Sequence, residues 1–121
     1  MRFIITGKSG VGKTTLQEII TDRIKGKKKL ILTTTRSPRA GETEGVDFYF
    51  TDREHINVDY YEIATEFKGN LFLCNKNSFT SDCIAVLESV MVGQAQRLYH
   101  NTVVIMLKCS DKERRRRVKS R

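Results

Sequence analysis

Apolar positions in this chain come in short runs that switch between two periods, and the switches mark its elements. Arg2 to Thr6 carries Phe3, Ile4 and Ile5 in succession and reads as a short buried strand. Leu16, Ile19, Ile20 and Ile24 then recur at helical spacing with polar residues between them. That spacing predicts an amphipathic helix, ended by Gly26 within the basic stretch Lys25 to Lys29. Leu30 to Thr35 is apolar and β-branched, as a second strand would be. Thr51 and Glu54 have capping-box spacing for a short helix, and Tyr61, Ile63, Thr65 and Phe67 alternate with more polar neighbours, as in a strand. Cys83 to Leu87 and Thr102 to Cys109 are further apolar runs of the buried parallel-sheet kind, and between them Met91, Ala95 and Leu98 fit one face of a helix over Ser89 to Tyr99. Strands alternating with helices predict an α/β fold with a mainly parallel sheet flanked by helices.

Composition narrows the class. With 121 residues the chain has room for one domain. Its 39% hydrophobic and 30% charged residues, with a single proline, exclude a disordered or collagen-like chain. No unbroken apolar run exceeds five residues, against the roughly 20 that a spanning helix needs, and no charged-then-apolar leader opens the sequence. Neither membrane insertion nor secretion is expected. Cys74, Cys83 and Cys109 lack any C-x-x-C spacing, which points to reduced thiols and a cytoplasmic location, not to a disulfide framework or zinc site. His55 and His100 lie far apart in the sequence and read as ordinary surface residues.

The net charge of +8 is unevenly spread. Residues 1–39 hold ten Lys and Arg against two acids, 40–96 hold three against ten, and 97–121 hold nine against two. Basic ends flanking an acidic middle suit a cleft that concentrates phosphates beside groups able to bind a nucleobase. The same distribution also fits a solvated surface.

Gly7 to Thr14 reads GKSGVGKT and matches G-x-x-x-x-G-K-[ST] at every fixed position, between the first strand and the first helix. In such a loop glycines let the backbone turn its N–H groups inward around a phosphate chain, while the helix presents its positive N-terminal end. Ser9, Gly10, Val11, Gly12, Lys13, Thr14 and Thr15 are the residues expected to hold the nucleotide. Lys13 is expected to reach the β and γ phosphates and Thr14 to offer its hydroxyl to Mg²⁺.

A second motif follows. Residues 34–50, TTRSPRAGETEGVDFYF, resemble the T-T-R-x-P-R-x-G-E-x-x-G-x-D-[YF]-x-F signature of the guanylate kinase family, and the phosphate loop lies upstream at the distance that family uses. The resemblance implies a P-loop NTPase fold with a small inserted monophosphate-binding subdomain. It divides the single domain 1–121 into a core of 1–32 and 82–110, an insert of 33–81 and a partial lid of 111–121. It implies ATP and Mg²⁺ as cofactors, with phosphoryl transfer to a nucleoside monophosphate, GMP or dGMP. Arg36 and Arg39 would seat the acceptor phosphate, since guanidinium groups match phosphate oxygens with paired donors. Phe48 stands where the family usually has a tyrosine of that site, Leu32 where it commonly has a serine, and Phe72 and Cys74 where it has a tyrosine and a hydroxyl residue. For the carboxylates that read guanine, Glu66 or Glu62 would be the first and Glu88 the second, with Glu88 alternatively supporting the Mg²⁺ shell.

Arg117 and Arg121 match the R-x-x-x-R register of the family's lid, whose arginines stabilise charge on the transferring phosphoryl group. Because family members continue beyond the position of Arg121, the resemblance also implies a shortened chain without the usual C-terminal part, and a weak enzyme in this form. The alternative is a noncatalytic guanylate-kinase-like module that turns its arginines on a phosphorylated partner. Nucleic acid is not an expected partner, although the tail from Ser110 to Arg121 is basic.

Overall fold

Ile4 and Ile5 are completely buried because their strand, β1 (Arg2–Thr6), lies inside a parallel sheet with neighbours on both sides. The computed structural model describes residues 1–8, 11–108 and 112. They form two compact units, one from Met1–Lys29 with the described residues from Ser81 onward, the other from Leu30–Thr80.

In the first unit β1 leads into α1 (Lys13–Arg23) and then β2 (Lys28–Lys29). After the second unit the chain returns as β7 (Cys83–Val86), α2 (Ser89–Leu98) and β8 (Thr102–Met106). The strand order is β2-β7-β1-β8, with every pairing parallel. Ile4 stands opposite Ala85 on one side and Val104 on the other, so the β1 and β7 positions that align are the buried ones.

Helix α1 uses only part of the face its apolar spacing predicts. Its most buried side chain is Gln17, at 3% exposure, and Gln17 Nε2 donates to the Ile84 carbonyl at 2.8 Å. The stripe turned inward is Leu16, Gln17, Ile20 and Thr21, whereas Ile19 is 43% exposed. Ile24 has already left the helix as its extended C-cap and is 49% exposed. A buried amide is tolerated here because it is hydrogen-bonded, and the bond ties the helix to β7.

The strand predicted over Leu30 to Thr35 forms only at Thr33–Thr34. Lys28–Lys29 pairs with β7, while β3 (Thr33–Thr34) belongs to the second sheet, and Leu30 and Leu32 between them are buried. That sheet, ordered β4-β3-β6-β5, adds β4 (Tyr49–Phe50), β5 (Tyr61–Phe67) and β6 (Asn70–Asn75). Strands β5 and β6 form an antiparallel hairpin through Lys68 and Gly69, both at positive φ, as a tight hairpin turn requires. Ile63, Leu73, Cys74 and Phe79 form its buried centre. The capping box predicted at Thr51 is absent: a 3₁₀ turn over Arg53–His55 starts after Asp52, and neither residue's side chain caps it. Cys74 and Cys83 are buried thiols, and Cys109 lies outside the described residues. Among the described residues no helix is long and apolar enough to cross a membrane.

Candidate functional site

The phosphate loop is built at the carboxyl end of β1, where an open parallel sheet leaves a crevice for ligands. Gly7 has φ +150°, and a Cβ there would come within 2.6 Å of the Leu107 carbonyl oxygen and 2.9 Å of Val11 Cγ2. Only glycine lets the chain pass between those atoms. Gly7→Ala is therefore expected to lower stability by about 1–3 kcal/mol, a backbone-strain cost, and to weaken nucleotide binding as the loop shifts; thermal unfolding beside calorimetric titration would check both.

Gly12 caps α1 in the left-handed conformation, at φ 97°, so that the helix begins at Lys13. The first backbone bond of the helix runs from the Leu16 N–H to the Gly12 carbonyl at 3.0 Å. The N–H groups before it are left over by helix geometry and point out of the N-terminus toward the loop. Lys13 Nζ donates to the Gly7 carbonyl at 2.6 Å, which folds its ammonium back across the loop. Thr14 and Thr15 are exposed on the first turn, and Val11 is buried. Glu88 is the extended N-cap of α2, at the carboxyl end of β7, the strand beside β1. It is exposed and its carboxylate makes no capping bond, so it stands at the same end of the sheet as the loop. Ser9, Gly10, Arg117 and Arg121 lie outside the described residues.

In the second unit the chain leaves β3 and doubles back at Gly41, whose φ is 86°. Glu42 closes this loop. Its carboxylate accepts from Arg36 Nη1 at 3.0 Å, Arg36 Nη2 at 2.9 Å and the Arg39 backbone N–H at 2.7 Å. Arg36 Nη1 also donates to the Ser37 carbonyl at 3.0 Å, and its guanidinium lies 5.2 Å from the Phe48 ring centre. Phe48 is in turn packed against Phe50 and Phe72, at centroid distances of 5.8 and 6.0 Å. The Phe48 ring thus serves as a platform for the arginine. The Arg39 side chain is exposed.

Sequence reasoning placed both arginines in the acceptor motif but gave no role to Glu42, which is the residue that organises them. The signal lay in R-x-x-R-x-x-E, whose spacing returns an acid to both basic positions within one turn of the loop.

The Arg36 guanidinium beside Glu42, helped by the Arg39 N–H, holds the carboxyl below the usual carboxylate range against the opposing effect of burial. A depressed folded-state pKa adds stability that is present above the ordinary value and is lost as pH falls through the lowered one. As pH falls below the ordinary glutamate value of 4.5 the native chain should lose stability through this carboxylate, and Glu42→Gln should lose less over that interval. Parallel unfolding curves for the two proteins in that window would contradict this.

Glu66 is not brought to this cluster. It is ion-paired with Arg53, which also holds the Gly69 carbonyl at 2.8 Å. Its ladder partner is Leu71, whereas Phe72 pairs with Thr65 and Thr34, so Glu66 and Phe72 face opposite sides of the sheet. Glu62 sits where the β5 to β6 register shifts, between the Tyr61 to Asn75 and Ile63 to Cys74 pairs, and is half-buried. Bulges of this kind re-aim a side chain relative to its strand. The hydroxyls of Thr33, Thr34 and Thr35 are all engaged inside the unit, by Asn75, the Leu71 carbonyl and the Leu71 N–H. His55 is paired with Asp52 at the surface. No group of three or more His, Cys, Asp or Glu poised to hold a metal occurs among the described residues.

A family model described as guanylate kinase matches residues 1–91. A guanylate kinase of Mycoplasma pneumoniae is 50% identical over 100 residues, covering 82% of this chain and 37% of its own length. One from Helicobacter hepaticus is 32% identical over 98 residues, covering 74% of this chain and 49% of its own. The chain thus spans at most about half the length of these relatives. The crystal structure of guanylate kinase from Anaplasma phagocytophilum superposes with a TM-score of 0.75 at 23% identity, over 98% of this chain and 65% of that one, which is a likeness of fold. A phosphate loop on a parallel sheet, an arginine loop in a second small sheet and a family match over residues 1–91 lead to one conclusion: this chain belongs to the guanylate kinase family.

Proposed function

We propose that this chain binds ATP with Mg²⁺ and transfers the γ-phosphoryl group to a nucleoside monophosphate, GMP or dGMP. The observation that carries this reading is Lys13, whose ammonium is held over the loop by the Gly7 carbonyl beside the outward N–H groups of α1. Positive charge and backbone donors converge where a phosphate chain would lie. Thr14 would hold Mg²⁺, which when bound neutralises charge between the β and γ phosphates. Glu88, at a strand end beside the loop, would support the Mg²⁺ shell or read the acceptor base.

In the acceptor unit Arg39 would grip the monophosphate, with Arg36 held in place by Glu42 and Phe48. Glu66, ion-paired with Arg53, or Glu62, at the register shift of β5, would be the base-reading carboxylate. A carboxylate accepting from two guanine N–H groups would reject adenine, which lacks that pair of donors. Arg117 and Arg121 would close over the transferring group as the lid. Little covalent chemistry is needed from the protein, and its share is positioning and charge stabilisation.

The reading as a noncatalytic module draws on one observation, that the Nη edge of Arg36 is already occupied by Glu42. A coupled ADP-release assay across the common monophosphates, on this chain and on any longer native form, decides between the two. Release stimulated by GMP or dGMP above all others supports the kinase. Monophosphate binding without release in either form supports the module.

A further inference from the structure

The first unit has a second charged end. Opposite the phosphate loop, where the parallel strands begin, four chain segments converge. The Met1 amine donates to the Ser81 carbonyl at 3.4 Å, the Arg2 N–H to Asn101 at 3.2 Å and the Lys28 N–H to Asp82 at 2.9 Å. Helices α1 and α2 both finish here, leading into β2 and β8. Arg2, Arg23, Lys25, Lys27, Lys28 and Arg97 therefore gather at one end of the sheet, with Asp22 and Asp82 as the nearby acids.

Several features set this end apart from an ordinary solvated surface. Lys28 lies 3.6 Å from Asp82 and so already offsets one of the two acids. Arg2 is stacked 3.9 Å above the Tyr99 ring, and the Lys27 ammonium lies 4.9 Å from the Phe3 ring, which holds two cations at fixed places. Arg23, Lys25 and Arg97 are exposed and make no ion pair among the described residues. Complementing the helix dipoles accounts for Arg23 and Arg97, in the last turns of α1 and α2. It does not account for the other four, which lie on loops and strand starts.

We propose that this end of the sheet binds the phosphodiester backbone of a nucleic acid, on a surface separate from the nucleotide site. Cations spread over a platform knitted by backbone bonds suit a ligand whose charge repeats along its length. Met1, Ile24 and Leu98 are each about half exposed at the same end, and an anionic bilayer would use them. The large aromatic side chains that anchor proteins at bilayer interfaces are not exposed there: Phe3 and Tyr99 lie beneath the cations. The nucleic-acid reading is therefore the one the chemistry favours.

The test is fluorescence anisotropy of the full 121-residue chain with a labelled duplex, read across a salt series. Replacing Arg23, Lys25 and Arg97 by Ser should reduce the slope of log K against log salt by about 3 and weaken binding more than about 10-fold near 0.1 M salt. Binding of ATP by the same variant, and its circular dichroism, should be unchanged. Lys25→Glu alone, on an exposed loop, should also weaken duplex binding and leaves the sheet intact. A parallel variant with Arg114, Arg115, Arg116 and Arg117 replaced by Ser isolates the basic tail and should retain the part of the slope that the triple variant loses. An unchanged slope in the triple variant, loss of all binding in the tail variant, displacement of the duplex by ATP, or binding to phosphatidylserine vesicles in place of duplex would each overturn the proposal.

Discussion

Lys13→Ala is expected to weaken Mg²⁺-dependent ATP and ADP binding about 100-fold, because a charge-assisted contact to phosphate is worth about 1.5–3 kcal/mol. The loop itself should survive. Its shape rests on Gly7, lodged against the Leu107 carbonyl, and on Gly12, the left-handed cap of α1, and neither depends on the lysine side chain. The hydrogen bond from Lys13 Nζ to the Gly7 carbonyl, which is part-buried, is lost with the side chain. Isothermal titration of both proteins is the measurement. Equal affinities in two folded proteins would remove the loop from the nucleotide site.

Arg39→Ala should weaken monophosphate binding about 10- to 100-fold while ATP binding stays near its native value, by the usual worth of an arginine–phosphate contact. Its side chain is exposed and the loop uses its backbone N–H and carbonyl, which alanine keeps, so the loss should fall on ligand affinity and not on folding. Arg36→Ala is expected to differ in kind. It strands the Glu42 carboxylate and uncovers Phe48, so it should lower stability as well as monophosphate affinity. Titrations with GMP and with ATP, beside thermal unfolding, separate the two outcomes. Loss of ATP binding in a folded Arg39→Ala protein would show that the nucleotide and acceptor sites are wrongly divided.

Much of the chemistry was legible in the chain because it depends on local order. The phosphate loop needs glycines, a lysine and a hydroxyl at fixed spacing between a strand and a helix, and all of these are consecutive in sequence. The β1 bounds, the α/β class and the helix read over 89–99, which ends one residue earlier, follow from periodicity in the same way. The arginine loop was recognisable from R-x-P-R-x-G-E, although which acid held which arginine was not.

What only the tertiary structure decided concerns orientation and pairing across distance. Helical spacing alone implied an apolar seam on α1, yet the position facing β7 is Gln17, because a buried amide with the Ile84 carbonyl as partner satisfies both groups. Leu30 to Thr35 looked like one strand, yet only Thr33–Thr34 pairs, in the second sheet, while Lys28–Lys29 just before the run pairs with β7, since a run of β-branched residues does not state where the chain changes partner. Glu66 and Glu62 were equivalent as letters. The ladder places Glu66 across from Leu71 and puts Glu62 at the register shift between Tyr61 and Ile63, a difference that pairing across the sheet sets and sequence does not. The basic end of the parallel sheet was invisible for a related reason: residues 2, 23–28 and 97 are far apart in the chain, and only the parallel register of β1, β2, β7 and β8 brings their strand ends together.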